Sequence, residues 1–453
     1  MVMKRDSIDF ESSEIGTLFR RMLVPTLLGA LAMSAMTVID GIIVGQGVGP
    51  HGVASINIVA PIYLLMSGIG LMVGAGCSVV ASIHLAQNKL KVARLNVTQA
   101  MLASALVVTI IALAVDLFPR DTALLLGASD TLMPHVLDYV VWIMPGFVFE
   151  MFSLIGLFVI RLDGAPRFAM WCTIIPAVLN AILDWVLVFP VGMGVEGAGI
   201  ATSFCMILGG VMALSYLMFK AKKLTLQLPK LSVKSFKLTL RNIGYQCRIG
   251  LSSLMGELAI AISIYIGNLV FMRYLGDDGV GAFGISCYYT PFFFSVGNSI
   301  AQSAQPIISY NYGAERWTNV AKVRRLLLST SISVGILLAL LFSLLPEPLV
   351  ALFVDTSSQA ADIAINGFPY FALGIVFFIL NVAVIGYYQS VERIGRAILL
   401  VSLRGLIFLL PCFVLLPRIY GEVGIWLAMP LSELLTLVAT IIASRIDSAK
   451  RVA

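Results

Sequence analysis

Six ionisable side chains lie inside long apolar runs of the sequence, where a charge is energetically costly. They are Asp40, Glu150, Asp184, Glu257, Arg404 and Glu433. A charge at the centre of a bilayer costs at least about 2.5 kcal/mol on insertion scales, so each needs a partner or a function. The chemistry open to such groups is cation binding, proton transfer or internal ion pairing.

Asp40 and Asp184 can share one site with two other oxygen-bearing side chains. Both acids fall roughly 6 to 9 Å below the outer end of their predicted helices, the first and the fifth. Asn180 lies one turn from Asp184 on the same face, and Thr202 lies a similar distance into the sixth helix. Two carboxylates, an amide and a hydroxyl suit a hard cation, or protons held by the carboxyls. The alternative is that Asp40 only marks the membrane interface and Asp184 only bonds to helix ends.

The other charged residues allow simpler explanations. Glu257, near the middle of the seventh predicted helix, can face a central cavity as a partner for cationic substrates or make a structural hydrogen bond. Arg404 and Glu433 have similar depths on adjacent helices, which predicts a structural ion pair. Glu150 is ambiguous at this point.

Aromatic and sulfur-containing side chains form a second candidate set. Tyr288 and Phe292 belong to a run of aromatic residues, and Met66 lies in the second apolar segment. Packing in the core or against lipid is the usual role of such residues. If they line a substrate cavity, their polarisable surfaces would favour flat, hydrophobic cations.

The elements that must position these residues are membrane-spanning helices. The chain has 453 residues, of which 59% are hydrophobic and only 12% charged, with a mean hydropathy of +0.97. Soluble domains have about 25% charged residues. The apolar runs do not alternate with polar residues, which excludes a membrane barrel. Twelve helices are predicted, near 17–44, 53–83, 95–117, 133–160, 168–190, 195–219, 246–274, 279–310, 320–345, 361–388, 396–417 and 423–445.

Basic residues predict the orientation of these helices. Of the 30 Lys and Arg residues, Arg120, Arg273 and Arg418 fall on one side and Arg404 within a helix, which leaves 26 on the side of the termini. Since positive residues concentrate in cytoplasmic loops, both termini are expected in the cytoplasm of a multi-pass protein of the cell (inner) membrane. The net charge of +6 then reflects topology, and no nucleic-acid partner is predicted.

Two pairs of turns indicate an internal repeat. The numbers of Gly49-x-x-Gly52 and Gly276-x-x-Gly279 differ by 276 − 49 = 227, and those of Gly194-x-x-Gly197 and Gly421-x-x-Gly424 differ by 421 − 194 = 227. The sequence therefore predicts an all-α membrane protein of two six-helix bundles, 1–221 and 242–453, joined by a cytoplasmic linker, 222–241. Six is an even number, so both bundles run in the same direction, and a substrate site is expected between them.

Motifs along almost the whole chain resemble the multidrug and toxic compound extrusion (MATE) transporters, most closely the DinF-like and MepA-like branches. They are Asp40-Gly-Ile-Ile-Val-Gly45, Pro61, Arg161-x-x-Gly164-x-Pro166-Arg167, Leu179-Asn180-x-x-x-Asp184, Gly194-Val-Glu-Gly197, Gln305-Pro306 and Asn311-Tyr-Gly313-Ala314. The resemblance implies a V-shaped arrangement of the bundles around a central cavity. It also implies export of lipophilic, often cationic compounds by alternating access, in exchange for H⁺ or Na⁺.

By the same resemblance, Asp40, Asn180, Asp184 and Thr202 form the cation-coupling site, which needs no cofactor and no metal beyond a possible Na⁺. Two residues depart from the family pattern. Trp185 replaces a proline that is common after the aspartate of the fifth helix, and Leu157 stands where related proteins often have an asparagine. The second departure removes a possible ligand and favours protons over sodium. Expected partners are small drug-like molecules and membrane lipid, and the chain is expected to be a monomer.

Two other function classes compete with this one. A flippase or exporter of lipid-linked or other metabolites in the same superfamily is the alternative transporter. An intramembrane enzyme is disfavoured, since the spans contain no HExxH or GxSxG motif.

Overall fold

The computed structural model describes residues 10, 13–126, 128, 130–227, 232–354 and 356–452, and every regular element among them is a helix. The α-helices are α1 (Ile15–Gly47), α2 (Pro50–Ala86), α3 (Leu90–Leu117), α4 (Pro119–Leu125), α5 (Met133–Leu162), α6 (Pro166–Val188), α7 (Gly194–Ser215), α8 (Val233–Gly313), α9 (Trp317–Leu344), α10 (Pro346–Ala351), α11 (Gln359–Ser390), α12 (Ile394–Ser402) and α13 (Leu409–Val452). Two π-helical turns, Tyr216–Lys220 and Leu403–Ile407, extend α7 and α12.

Two of the long helices are each interrupted by a glycine. The backbone of Gly276 in α8 is non-helical (φ 66°, ψ −155°), and so is the backbone of Gly421 in α13 (φ 57°, ψ −132°). Ten helical stretches of the described residues are long and apolar enough to cross a membrane. One of them contains Gly421 and supplies two crossings, and the part of α8 after Gly276 supplies another. The described chain therefore has the twelve long helical segments that the apolar runs predict.

The repeat is visible in the backbone. Gly49 and Gly276 have φ of 89° and 66°, and Gly194 and Gly421 have φ of 60° and 57°. Asn88 and Glu315, which stand at the same offset (315 − 88 = 227), both have φ of 58°. A positive φ is strained for residues with a side chain, so its recurrence at the same offset reflects one turn geometry used twice.

One predicted helix start is wrong. The seventh apolar run predicts a helix from 246, but α8 begins at Val233, inside the stretch interpreted as a linker. Ser232 caps this helix, because its hydroxyl accepts a hydrogen bond from the Ser235 backbone N–H at 3.1 Å. The first turns of α8 are polar and rich in lysine and leucine, so they form a helix that hydropathy alone does not detect.

The described residues form two compact units. Unit 1 consists of those within Met1–Leu254 and Gln305–Val320, and unit 2 of those within Met255–Ala304 and Ala321–Ala453. The division into 1–221, 222–241 and 242–453 stays a prediction.

Each unit has its own core. In unit 1 the central helix is α5, whose Met144, Phe147 and Met151 are completely buried in an apolar cluster with residues of α2 and α3. In unit 2 the core is aromatic: Phe271 stacks on Phe283 with ring centroids 4.5 Å apart and meets Trp426 edge-on at 4.9 Å.

Candidate functional site

Unit 1 brings together the four residues that the sequence assigns to a cation site. Asp40 comes from α1, Asn180 and Asp184 from successive turns of α6, and Thr202 from the third turn of α7. Asn180 and Asp184 have 0% exposure and Thr202 has 6%, whereas Asp40 is half-buried.

The two acids face each other. The carboxyl groups of Asp40 and Asp184 lie within hydrogen-bonding reach, yet no donor is positioned between them. Oδ1 of Asp40 and both carboxylate oxygens of Asp184 are buried and receive no hydrogen bond from the described residues. Two ionised carboxylates repel each other, so this arrangement requires a proton or a cation between them.

A second pair of side chains supports the acids from one side. The Asn180 amide Nδ2 donates to Thr202 Oγ1 at 3.5 Å, and Asn180 Oδ1 has no donor. The Thr202 hydroxyl also lies within hydrogen-bonding reach of the hydroxyl of Tyr139 on α5, and Tyr139 is close enough to both acids to interact with their charge. Sequence reasoning missed Tyr139, because one tyrosine in an apolar run is indistinguishable from a packing residue.

The unpaired atoms are oxygens of carboxylate and amide groups, which are ligands for hard cations such as Na⁺ and also acceptors for protons. Among the described residues no group of three or more His, Cys, Asp or Glu side chains could hold a metal ion. The donor set of carboxylate, amide and hydroxyl oxygens fits a proton or a hard cation.

The helix that carries Asp40 is buried on either side of a more exposed stretch. Its buried residues are Leu18, Phe19, Met22, Pro25, Thr26, Gly29, Ile43 and Val44, so none lies in the stretch 30–42. At one end Gly29 packs against Thr173 of α6, and at the other Ile43 and Val44 pack against Val188. The stretch around Asp40 thus has fewer buried side chains than the rest of α1.

Glu150, which the sequence leaves ambiguous, is enclosed in the core of unit 1. It is 7% exposed, and its carboxylate accepts a hydrogen bond from the Tyr63 hydroxyl of α2. Its Oε2 atom is buried without a donor.

Arg404 and Glu433 are in direct contact within unit 2. Arg404 Nη2 lies 2.9 Å from Glu433 Oε1, and both side chains are almost completely buried. The predicted partners are therefore side by side.

The four residues predicted to line a substrate cavity have different environments in the structure. Met66 has 0% exposure and belongs to the apolar core of unit 1. Tyr288 is 62% exposed and stacks on Phe353, and Phe292 meets Phe293 edge-on. Glu257 is half-buried. A role of these four residues in substrate binding stays a prediction.

One protein-family model matches the chain twice, once in each half. The MatE family model matches residues 25–186 and again residues 253–414. The starting positions of the two matches differ by 253 − 25 = 228, which agrees to within one position with the offset between the repeated turns.

Similar proteins cover nearly the whole chain. A FAD transporter of Shewanella oneidensis is 24% identical over 94% of this chain and 94% of its own length. The multidrug export protein MepA of Staphylococcus saprophyticus is 22% identical over 96% and 94%.

Solved structures share the fold. The Vibrio cholerae MATE transporter VcmN, in a mutant form, superposes with a TM-score of 0.87 at 20% identity, covering 97% of this chain and 98% of that one. An outward-facing multidrug resistance MATE transporter of the MOP superfamily superposes with a TM-score of 0.90 at 17% identity, covering 98% of both chains.

Proposed function

The chain belongs to the MatE family of multidrug efflux transporters, and on that premise we propose that it is a cation-coupled antiporter that exports lipophilic, often cationic molecules. It is a multi-pass membrane protein, and transporters of this family need no cofactor. We place it in the inner membrane as a monomer, with both termini in the cytoplasm, as the distribution of basic residues predicts.

The facing carboxyl groups of Asp40 and Asp184 carry the proposal. In general, two unit charges 4 Å apart repel by about 4 kcal/mol at an effective dielectric constant of 20, so ionisation of both facing carboxyl groups is unfavourable. Because the described residues place no hydrogen-bond donor between them, a bound proton or cation stabilises the closed arrangement of α1 against α6. When the cation leaves, the repulsion favours displacement of the α1 segment 30–42.

This displacement can couple the cation to the exported molecule. Shifting a two-state equilibrium from 1:99 to 99:1 requires about 5.5 kcal/mol of differential binding, and removal of the repulsion between the acids contributes to it. If the substrate binds one conformation and the cation binds the second, binding of the cation drives release of the substrate and binding of the substrate drives release of the cation. Leu157, an apolar residue in place of a possible ligand, favours the proton as the coupling ion.

Transport in proteoliposomes tests the proposal. Purified protein is reconstituted and export of a lipophilic cationic dye is measured with a pH gradient in the absence of Na⁺, then with a Na⁺ gradient at equal pH. We expect transport with the pH gradient and its loss in Asp40→Asn and Asp184→Asn. Asp138→Asn, which changes an exposed carboxylate next to Tyr139, is the matched control. Gradient-driven export that persists in both site variants would refute the assignment.

A metabolite is the alternative substrate class, because one similar protein is described as a FAD transporter. The same vesicles distinguish the two. FAD counterflow without dye transport, lost in the same two variants, would keep the coupling site and replace the substrate.

A further inference from the structure

The internal repeat allows each position of unit 1 to be compared with a position of unit 2. The offset is 227 for the repeated turns and 228 for the two family matches. Corresponding residues are therefore known to within one position.

The acids of the unit 1 site have no charged counterparts. An offset of 227 pairs Asp40, Asp184 and Thr202 with Gly267, Pro411 and Met429, and an offset of 228 pairs them with Asn268, Cys412 and Pro430. Aromatic side chains fill this level of unit 2. The Phe283 ring lies directly against Gly267, and Trp426 is 3% exposed beside it in the aromatic core.

A buried polar cluster nevertheless lies in the two helical segments of unit 2 that correspond to α6 and α7. Its residues are one helical turn further from the loop between these segments than the counterparts of Asn180 and Thr202 are. Arg404 precedes the counterpart of Asn180 by three or four residues, and Glu433 follows the counterpart of Thr202 by three or four. Both displacements point away from Gly421, the turn between the two segments. Unit 2 therefore carries a basic residue, Arg404, on the counterpart of the helix of Asn180, and an acidic residue, Glu433, on the counterpart of the helix of Thr202. Both lie about one turn deeper than those counterparts.

The carboxylate of Glu433 differs from those of Asp40 and Asp184 in being fully paired. Its Oε1 accepts from Arg404 Nε at 3.0 Å and from Nη2 at 2.9 Å, and its Oε2 accepts from Asn381 Nδ2 at 2.7 Å. The Arg404 guanidinium also lies over the Phe378 ring at 4.2 Å. It thus sits where a planar cation would be held, between a carboxylate and an aromatic face.

We propose that Glu433, Asn381 and Phe378 form a second cation site, which the protein fills permanently with the guanidinium of its own Arg404. Removal of that side chain leaves a site for a small planar organic cation of the guanidinium class. Unit 1 then contains an exchangeable cation site and unit 2 a self-occupied one. The statement that unit 1 exchanges its cation and unit 2 does not rests on the proposed antiport function. The existence of the second site does not rest on it.

The surroundings of Arg404 fit this role. Arg404 lies on the π-helical turn Leu403–Ile407, a wider turn than an α-helical one and a frequent feature of functional sites. A small cavity adjoins the ion pair and is lined in part by Ser263, Thr290 and Met429. Space and hydroxyl groups are therefore present beside the carboxylate.

Chemical rescue tests the second site. Full-length Arg404→Ala is purified in detergent, and its thermal unfolding midpoint is measured with increasing methylguanidinium at constant ionic strength, using tetramethylammonium as the balancing salt. We expect a lowered midpoint that methylguanidinium restores in a saturable manner. The double variant Arg404→Ala, Glu433→Gln removes the carboxylate charge and should show no rescue. A rise of equal size in both variants, or no rise in either, would overturn the proposal.

A second comparison applies if Arg404→Ala does not fold. Arg404→Lys keeps a cation at the site and Arg404→Gln does not, so the lysine variant should keep more of the wild-type stability. Equal losses would overturn the proposal. Rescue measured in Arg404→Ala combined with Asp40→Asn separates the two sites, because methylguanidinium should still act there even if Asp40 has no part in transport.

Discussion

The hydroxyl group of Tyr139 on α5 lies within hydrogen-bonding reach of that of Thr202 on α7, beside Asp40 and Asp184. This contact connects α5, the central helix of unit 1, to α7, the helix that follows Asp184 in the chain. Because Tyr139 is only 6% exposed, its hydroxyl has no bulk water to replace a lost partner.

We expect Tyr139→Phe and Thr202→Val each to weaken cation coupling without unfolding the protein. A lost hydrogen bond of about 0.5 to 1.5 kcal/mol corresponds to roughly a 2- to 12-fold rise in the ion concentration for half-maximal transport. The effects of the two changes should be less than additive, since both remove the same contact.

The measurement is dye export from proteoliposomes at graded ion concentrations for both single variants and the double variant. Tyr265→Phe, which changes a tyrosine 65% exposed, should behave as wild type. Strict additivity of the two free-energy changes would show that the hydroxyls act separately.

The helices were predictable because each crossing requires an uninterrupted apolar run. The predicted 133–160 and 361–388 correspond to α5 (Met133–Leu162) and α11 (Gln359–Ser390). The polar start of α8 was not predictable in this way, since hydropathy reports membrane depth rather than helix formation.

Acidic residues in apolar runs pointed to the site, because a buried charge has few explanations. Residues whose roles depend on distant partners were not detectable. Tyr139 is an example, and Asp163 is another, since its partners lie more than fifty residues away in the chain.

Pro25 offers a test of the mobility of α1. Proline removes a backbone hydrogen bond and costs a helix about 3 kcal/mol, so Pro25→Ala should favour a straight α1 and slow its displacement. We expect turnover to fall by roughly tenfold, consistent with a shift of about 1.4 kcal/mol, with the folded state retained.

Initial export rates under a saturating ion gradient give the measurement. Pro119→Ala is the control, because Pro119 occupies the first turn of α4, where the missing N–H has no helical partner. Equal rates for both variants would mean that α1 does not bend at Pro25.

Asp163 anchors the segment that follows α7. Its carboxylate accepts hydrogen bonds from the Tyr216 hydroxyl at 2.9 Å and from the backbone N–H groups of Lys222, Lys223 and Leu224 at 3.1, 2.7 and 3.0 Å. Hydrogen bonds to a charged group contribute about 1.5 to 3 kcal/mol each. Asp163→Ala should therefore loosen this segment and lower stability by at least about 2 kcal/mol.

Limited trypsin digestion detects the change. Lys222 and Lys223 are already exposed, but cleavage after them requires the backbone of this segment to leave its hydrogen bonds to Asp163. Cleavage there should be faster in Asp163→Ala than in wild type, with Asp121→Ala, a change at an exposed residue, as the control. An unchanged cleavage pattern would show that other contacts hold the segment.

Glycines allow α2 and the beginning of α8 to approach closely. A Cβ at Gly250 would overlap the backbone carbonyl of Met72, and one at Gly76 would overlap that of Gln246. No rotamer change relieves a clash with backbone, so Gly250→Ala must push the helices apart. Overpacking of this kind costs about 1 to 3 kcal/mol.

Gly244 provides a control on the same helix. A Cβ there would meet nothing within 4 Å, and replacing glycine by alanine in a helix favours folding by roughly 0.8 to 1 kcal/mol. The thermal unfolding midpoint in detergent should therefore fall in Gly250→Ala and stay level or rise in Gly244→Ala. If the two midpoints moved together, helix propensity rather than close approach would govern this part of unit 1.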